Sequence, residues 1–286
     1  PLNPAEAFTT SLRLWALGPL AITVPLWGAM FRAPLAEVLP IDCAVWIEGQ
    51  SGAFKTSVAR VFLSHFGLWD QSGLVPASWR DSDANLEHKR YLIKDAPLLV
   101  DDYVRETQDA ELRALRALRS QGNRASRGRM QADMTVAHVY PPRGLLVATA
   151  EHRPAGLSLA ARTLVLPVGP DTLQRDRLTA AQRAAHRLPH AMAGFLLWLA
   201  PQMGDPAWRA QVRDGFLVAR EQARERGGLL RVPEVIAHVW VGIDWALAYA
   251  EATGIVSAEE RARLAQVAWE ACLGAQAAPE AEVESE

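Results

Sequence analysis

The spacing of hydrophobic and polar positions changes twice along the chain. Residues 1 to about 40 carry apolar positions at helical spacing, and so does most of the chain beyond about 172. Between about 41 and 168, short apolar runs that predict strands alternate with helical stretches. The strand candidates are 44–47, 98–100, 144–149 and 163–168, and the helical stretches are 57–66 and 110–120. Such alternation is typical of an α/β fold with a largely parallel sheet, whose ligand lies at the carboxyl ends of the strands.

A glycine-containing turn joins the first strand candidate to the helical stretch that follows it. The turn reads Gly49, Gln50, Ser51, Gly52, Ala53, Phe54, Lys55, Thr56 and Ser57. In such a turn, backbone N–H groups and the helix N-terminus surround a polyphosphate, the lysine reaches the β- and γ-phosphates, and the hydroxyl takes Mg²⁺. Gly49, Lys55 and Thr56 fit the pattern G-x-x-x-x-G-K-S/T, but Phe54 replaces its second glycine. We predict an ATP-binding loop over 49–57; an ordinary turn before a surface helix is the alternative.

Polar side chains follow the next two strand candidates. Asp101 and Asp102 end the run 98–100, where Asp101 is expected to complete a Mg²⁺ shell and Asp102 to orient or deprotonate a water. Thr149 ends the following strand and is a candidate sensor of the γ-phosphate. Capping of the strand ends is the alternative for all three residues. Arg162, further on, is a candidate to stabilise transition-state charge in a neighbouring subunit, and a surface ion pair is its alternative.

Arginines cluster between the paired aspartates and Thr149. No acidic residue separates Glu111 from Asp133, and six arginines lie between them: Arg113, Arg116, Arg119, Arg124, Arg127 and Arg129. The first three recur at every third helical position, which is typical of a solvated helix face. The last three lie in a Gly-, Asn- and Ser-containing segment, 121–129, that is suited to following a phosphate backbone. We predict that Arg124, Arg127 and Arg129 bind single-stranded nucleic acid, with DNA favoured over RNA.

Composition limits the other possibilities. The 286 residues are 50% hydrophobic and 22% charged, and their net charge of −2 gives no global attraction to nucleic acid. Cys43 and Cys272 form no disulfide or metal-binding pattern, which is expected of a cytoplasmic protein. Glycine and proline interrupt the uncharged stretch 14–31, so we predict two short buried helices there and no membrane contact. Because the sequence starts at Pro1 without a signal-peptide pattern, we expect a piece of a longer protein.

The order of these motifs resembles the ATPase domains of phage, plasmid and integrative-element replication proteins of primase-helicase type, which are related to superfamily 3 helicases. The resemblance spans roughly residues 15 to 250. The segments that carry it are 32–35, 55–67, 79–85, 101–102, 142–146 and 158–162. Phe54, Asp102 and Thr149 depart from the Gly, Glu and Asn common at these positions, without removing a required chemical type.

The resemblance implies a P-loop NTPase core of AAA+ or superfamily 3 type. Its activity would be Mg²⁺-dependent ATP hydrolysis coupled to movement on nucleic acid or unwinding, in the replication of a mobile element. It also implies a hexameric ring, with Arg124, Arg127 and Arg129 on an insertion that lines the channel. The expected divisions are a helical lead-in (1–40), the ATPase core (41–170), a helical subdomain (171–278) and an acidic tail (279–286). A nucleotide-binding switch or scaffold and a small-molecule phosphotransferase are the alternatives.

Overall fold

The computed structural model describes residues 3–67, 77–104, 108–126, 139–154, 162–227 and 232–277. The chain begins with helices α1 (Pro4–Leu12) and α2 (Leu20–Arg32), joined by a 3₁₀ turn at Arg13–Leu17. Most of α2 is buried, so the uncharged stretch 14–31 is core, as predicted. None of the helices described combines the length and the apolar character needed to cross a membrane.

A five-stranded parallel sheet follows, in the order β2-β3-β4-β1-β5. Its strands are β1 (Ala44–Glu48), β2 (Ala77–Ser78), β3 (Lys94–Tyr103), β4 (Arg143–Ala150) and β5 (Thr163–Pro167). Helices α3 (Lys55–Leu63), α4 (Asp83–Leu92) and α5 (Gln108–Asn123) lie between the strands in sequence. The predicted parallel α/β sheet is therefore confirmed. The hydrophobic pattern did not predict β2, which has only two residues, or α4, which is mostly polar.

The two faces of the sheet bury different sets of residues. Along β1, Val45 and Ile47 join the core formed with the terminal helices, while Ala44 and Trp46 pack with residues of α4 and α5. Successive strand residues point to opposite faces, so β1 reads as a continuous apolar run because both of its faces are covered. This layering leaves the polar ends of the strands at the two edges of the sheet, where the strands begin and end.

The rest of the described chain is helical. The helices are α6 (Arg175–Ala184), α7 (Leu188–Leu199), α8 (Pro206–Glu225), α9 (Val232–Ala252) and α10 (Ala258–Ala277). Helix α9 crosses α2 so closely that a Cβ at Gly242 would lie 2.2 Å from the carbonyl oxygen of Gly28. One hydrophobic core joins α2, one face of the sheet and α9, and the predicted division into domains stays a prediction.

Candidate active site

The predicted phosphate loop connects β1 to α3. Its first residue, Gly49, donates its backbone N–H to the carbonyl of Ala150 over 3.0 Å, and Val168 donates to the carbonyl of Glu48 over 2.7 Å. A Cβ at Gly49 would lie 1.9 Å from the carbonyl oxygen of Val168, so only glycine fits there. The loop therefore starts at the carboxyl edge of the sheet and is anchored to both neighbouring strands.

Phe54, which stands where the common pattern has glycine, adopts a left-handed backbone conformation with φ of 63°. A bulky residue rarely adopts this conformation, which explains why the position is usually glycine. The guanidinium of Arg175, the first residue of α6, lies 5.3 Å from the centroid of the Phe54 ring. Arg175 is a neighbour of the loop that sequence reasoning missed, because nothing in its local pattern distinguishes it from other helical arginines.

Lys55 and Thr56 begin α3, as the motif predicts. No side chain caps this helix N-terminus, so its first backbone N–H groups are available to an anion. The Lys55 ammonium donates to the carbonyl of Gln50 over 2.8 Å, within the same loop. The lysine therefore closes the loop on itself in this conformation.

Asp101 brings together two of the other predicted residues. Its Oδ1 accepts a hydrogen bond from the hydroxyl of Thr56 over 2.8 Å and another from the hydroxyl of Thr149. Thr149 is fully buried and also accepts the backbone N–H of Asp102 over 3.0 Å. The start of α3 and the ends of β3 and β4 are thus joined at one carboxylate, next to the phosphate loop.

A β-bulge at the end of β3 separates the two aspartates. Val100 pairs with Ala148 and Tyr103 with Ala150, so β3 has one more residue than β4 between these pairs. Asp102 lies in the bulge with φ of 64°, and its side chain is exposed, whereas Asp101 is only 8% exposed. The bulge therefore turns one carboxylate toward Thr56 and leaves the other open to the solvent.

A second pair of charged residues flanks the phosphate loop and was not predicted. Arg153 follows β4; its backbone N–H donates to Glu48 Oε1 over 3.1 Å, and its guanidinium lies 3.5 Å from Glu48 Oε2. Both residues line a cavity of about 300 Å³ together with Gly49 and Gln50. The position of Glu48 directly before Gly49 is the signal that could have revealed this pair.

The predicted residues Arg124 and Arg162 lie near the amino ends of the strands, at the edge of the sheet opposite to the phosphate loop. Helix α5 ends there, where Gln121 donates to the carbonyls of Ile41 and Gly144 over 3.2 and 3.1 Å. Arg162 precedes β5, accepts the N–H of Ala44 at its carbonyl, and donates from its guanidinium to Asn123 Oδ1 over 2.5 Å.

A strand of five residues spans roughly 16 Å, so Arg162 is far from the phosphate loop of its own chain. Arg124 is exposed, with φ of 50°. Arg127 and Arg129 lie outside the described residues, as do residues 158–161 of the segment before Arg162. Of the helical arginines, Arg113 and Arg116 form ion pairs with Asp83 at 3.2 and 2.9 Å.

A buried hydrogen-bonded chain fixes the end of α3. The indole N–H of Trp27 donates to the hydroxyl of Ser11 over 2.7 Å, and Ser11 lies 2.7 Å from Nε2 of His65. The other ring nitrogen of His65 lies 2.6 Å from the carbonyl of Phe62, which assigns the proton to Nδ1. Burial lowers the pKa of His65 to about 4, so the neutral ring is the form that holds α1 and α2 against α3.

A second buried network precedes β1. Nε of Arg32 donates to Nδ1 of His238 over 3.2 Å, and Nε2 of His238 donates to the Asp42 carboxylate over 2.8 Å. Burial lowers the pKa of Arg32 to about 10 and that of His238 to about 4. The network joins α2 and α9 to the residue that leads into β1, so it helps position the strand that carries the phosphate loop.

Comparison with known proteins identifies similar folds among solved structures. No protein-family profile matches the chain, and no curated protein matches its sequence. Among solved structures, the chain is similar to the active helicase Cch of SCCmec type IV, with 14% identity and a TM-score of 0.58 over 90% of this chain. It spans 49% of the Cch chain, about half its length.

A second similar structure is that of JCV helicase with a bound thiazolopyridine acetamide. The match covers 84% of this chain and 72% of the JCV helicase chain, with 16% identity. Its TM-score of 0.33 is too low to support an argument. The likeness to Cch shows the fold alone, and on that basis this chain has a helicase-like α/β fold.

Proposed function

We propose that this chain binds and hydrolyses ATP with Mg²⁺, as the P-loop motor domain of a helicase or translocase. The observation that carries the proposal is the contact of Thr56 with Asp101 beside the loop that holds Lys55. A lysine and a hydroxyl at a helix N-terminus, next to a carboxylate on a neighbouring strand, form the set of groups that phosphoryl transfer from a nucleotide requires.

Each residue of the set has a role that its position suits. Lys55 exchanges the carbonyl of Gln50 for the β- and γ-phosphates when the nucleotide enters. Thr56 and Asp101 present hard oxygen donors, which fit Mg²⁺, and the ion would neutralise charge on the phosphate oxygens. Asp102, exposed in the bulge, orients or deprotonates the attacking water, and Thr149 holds Asp101 in place as it senses the γ-phosphate.

We further propose that hydrolysis drives movement on single-stranded nucleic acid, DNA in the first instance, during replication of a mobile element. Arg124, with Arg127 and Arg129, would contact the phosphate backbone. The active assembly would be a hexameric ring in which Arg162 reaches the nucleotide of the next subunit. The distance of Arg162 from its own phosphate loop supports a role between subunits, and the helicase-like fold supports the motor class.

The test is the rate of ATP hydrolysis by the purified chain with Mg²⁺, with and without single-stranded DNA. We expect hydrolysis that DNA stimulates, and its loss in Lys55→Ala with an unchanged circular dichroism spectrum. Hydrolysis by Lys55→Ala at the parent rate would refute the phosphate-loop assignment. Tight nucleotide binding by the parent without turnover would instead favour the nucleotide-binding switch or scaffold.

A further inference from the structure

A groove between α4 and α5 carries charge that the proposed nucleotide site does not use. It encloses a cavity of about 230 Å³ on the side of the sheet covered by these two helices. Four arginines and two acidic residues are among its lining residues: Arg90, Arg113, Arg116, Arg119, Asp83 and Glu87. The lining therefore has a formal excess of two positive charges.

Arg90 is the least expected of these residues. It is 5% exposed, and its Nε is buried with no hydrogen-bond partner in the part of the chain that the structure describes. Its Nη2 reaches only neutral groups, Ser120 Oγ and Gln121 Oε1, each at 3.4 Å. Among the described residues no carboxylate forms an ion pair with Arg90. Glu87 lines the same groove and interacts electrostatically with Arg90 without forming an ion pair, so burial still leaves this guanidinium with an unfilled hydrogen-bonding position.

A second unpartnered polar atom lies on the same cavity. The Oγ of Ser126 is buried and has no hydrogen-bond partner among the described residues, and Ser126 lines the groove with Asn123. Arg113 and Arg116 share the single carboxylate of Asp83, whereas Arg119 is exposed at the rim and forms no ion pair with a described residue. Arg90 of α4, Arg119 of α5 and Ser126 of the turn after α5 therefore line one groove, and none of the three bonds to a carboxylate of a described residue.

We propose that this groove binds one oxyanion, and that the oxyanion is a phosphodiester group of a nucleic-acid strand. Guanidinium groups match phosphate oxygens in geometry and charge, and a serine hydroxyl adds a further donor. The groove opens where α5 ends, so Ser126 continues directly into the segment that carries Arg127 and Arg129. The identity of the ligand as nucleic acid rests on the proposed function.

The experiment compares the parent chain with Arg90→Gln, Ser126→Ala and Arg119→Gln, with Arg263→Gln as control. Arg263 is an exposed arginine on α10, remote from the groove in sequence, and it pairs with Glu260 of the same helix. A thermal shift with inorganic phosphate measures binding of an oxyanion alone. Fluorescence anisotropy with single-stranded DNA across a salt series measures binding of the strand and its salt dependence.

We expect phosphate to stabilise the parent and the control but not Arg90→Gln. Removal of one charge-assisted hydrogen bond should weaken DNA binding about tenfold and lower the salt slope by about 0.7. ATP hydrolysis without DNA should stay at the parent rate in all the variants. If Arg90→Gln does not fold, Arg119→Gln provides the comparison of affinity and salt slope, and Ser126→Ala, which removes no charge, provides that of affinity alone.

The outcomes separate this inference from the proposed function. DNA binding by the parent with equal affinity and slope in every groove variant would overturn the inference and leave the motor function standing. A phosphate effect in a parent that binds no DNA would overturn the assignment to nucleic acid. An altered oligomeric state with an unchanged salt slope would assign the groove to a carboxylate of a second copy and also overturn it.

Discussion

The hydroxyl of Thr56 donates to the carboxylate of Asp101 over 2.8 Å, although 45 residues separate them in sequence. Parallel strands bring their carboxyl ends to one edge of the sheet, so the start of α3 and the end of β3 meet there. Thr149, at the end of the strand between β1 and β3, donates to the same carboxylate oxygen. The central part of the candidate site is therefore a product of strand order.

Asp102→Asn should bind Mg²⁺ and ATP but stall at hydrolysis. The amide keeps the shape of the side chain and cannot accept a proton from the attacking water. Nucleotide binding by equilibrium dialysis and turnover by phosphate release measure the two steps separately. Unimpaired turnover would show that Asp102 takes no part in hydrolysis and has only a structural role near the end of β3.

Thr149→Val should lower both stability and turnover, and Thr149→Ser should preserve most of each. Valine has a similar shape but removes one of the two donors to Asp101 Oδ1 and leaves the Asp102 N–H without a partner, at a cost of about 1–3 kcal/mol. Urea unfolding and steady-state hydrolysis report the two losses. If valine lowers stability but leaves turnover per folded molecule unchanged, Thr149 has a structural role alone.

Replacing Arg124, Arg127 and Arg129 together with alanine should weaken single-stranded DNA binding and flatten its salt dependence, by roughly 0.7 in slope for each phosphate that is no longer bound. DNA-stimulated hydrolysis should disappear while basal hydrolysis survives, because the phosphate loop is unchanged. Replacement of Arg224, Arg226 and Arg263, three exposed arginines outside both the segment 121–129 and the groove, is the matched control for charge. DNA binding at the parent level by the triple variant would favour the scaffold alternative.

Mixing Arg162→Ala subunits with Lys55→Ala subunits should restore part of the ATPase activity that each variant lacks alone. In a mixed ring, some interfaces combine an intact phosphate loop with an intact Arg162 from the neighbour. Hydrolysis is measured against the mixing ratio, and light scattering reports the assembly. Full activity of a monomer at working concentration would exclude a shared site.

Stability should fall as the pH is lowered from about 6.5 to about 4. Burial lowers the pKa of His65 and of His238 from 6.5 to about 4, so the unfolded chain binds more protons in this window and acid favours unfolding. Each shift corresponds to about 3 kcal/mol once both states are protonated. The free energy of unfolding in urea at several pH values measures the effect.

The histidine variants give this prediction its control. His238→Gln keeps hydrogen-bonding groups near Arg32 and Asp42 but cannot gain a proton, so it should flatten the decline. His190→Gln changes an exposed ring and should leave the decline as in the parent. An unchanged decline in His238→Gln would mean that other groups control the acid sensitivity.

Local sequence was sufficient for much of the fold. The runs 44–47 and 144–149 lie within β1 and β4, and the stretch 110–120 lies within α5, because burial and helical periodicity leave a strong pattern. Short or polar elements leave a weak one, so β2 and α4 escaped prediction. Element ends also differed, since backbone pairing extended β3 to Lys94 and Tyr103 beyond its apolar centre.

The sequence by itself determined the alternation of strands and helices, the phosphate-loop pattern at Lys55 and Thr56, and the polar residues that end β3 and β4. Those features depend on neighbours in the chain, which a linear pattern records. Only the tertiary structure decided that Thr56 and Thr149 share Asp101, that Arg124 and Arg162 lie at the far edge of the sheet, and that Arg90 is buried without an ion pair to a described residue. These relationships arise from strand order, a β-bulge and helix packing, which join residues far apart in sequence and leave no periodic signal.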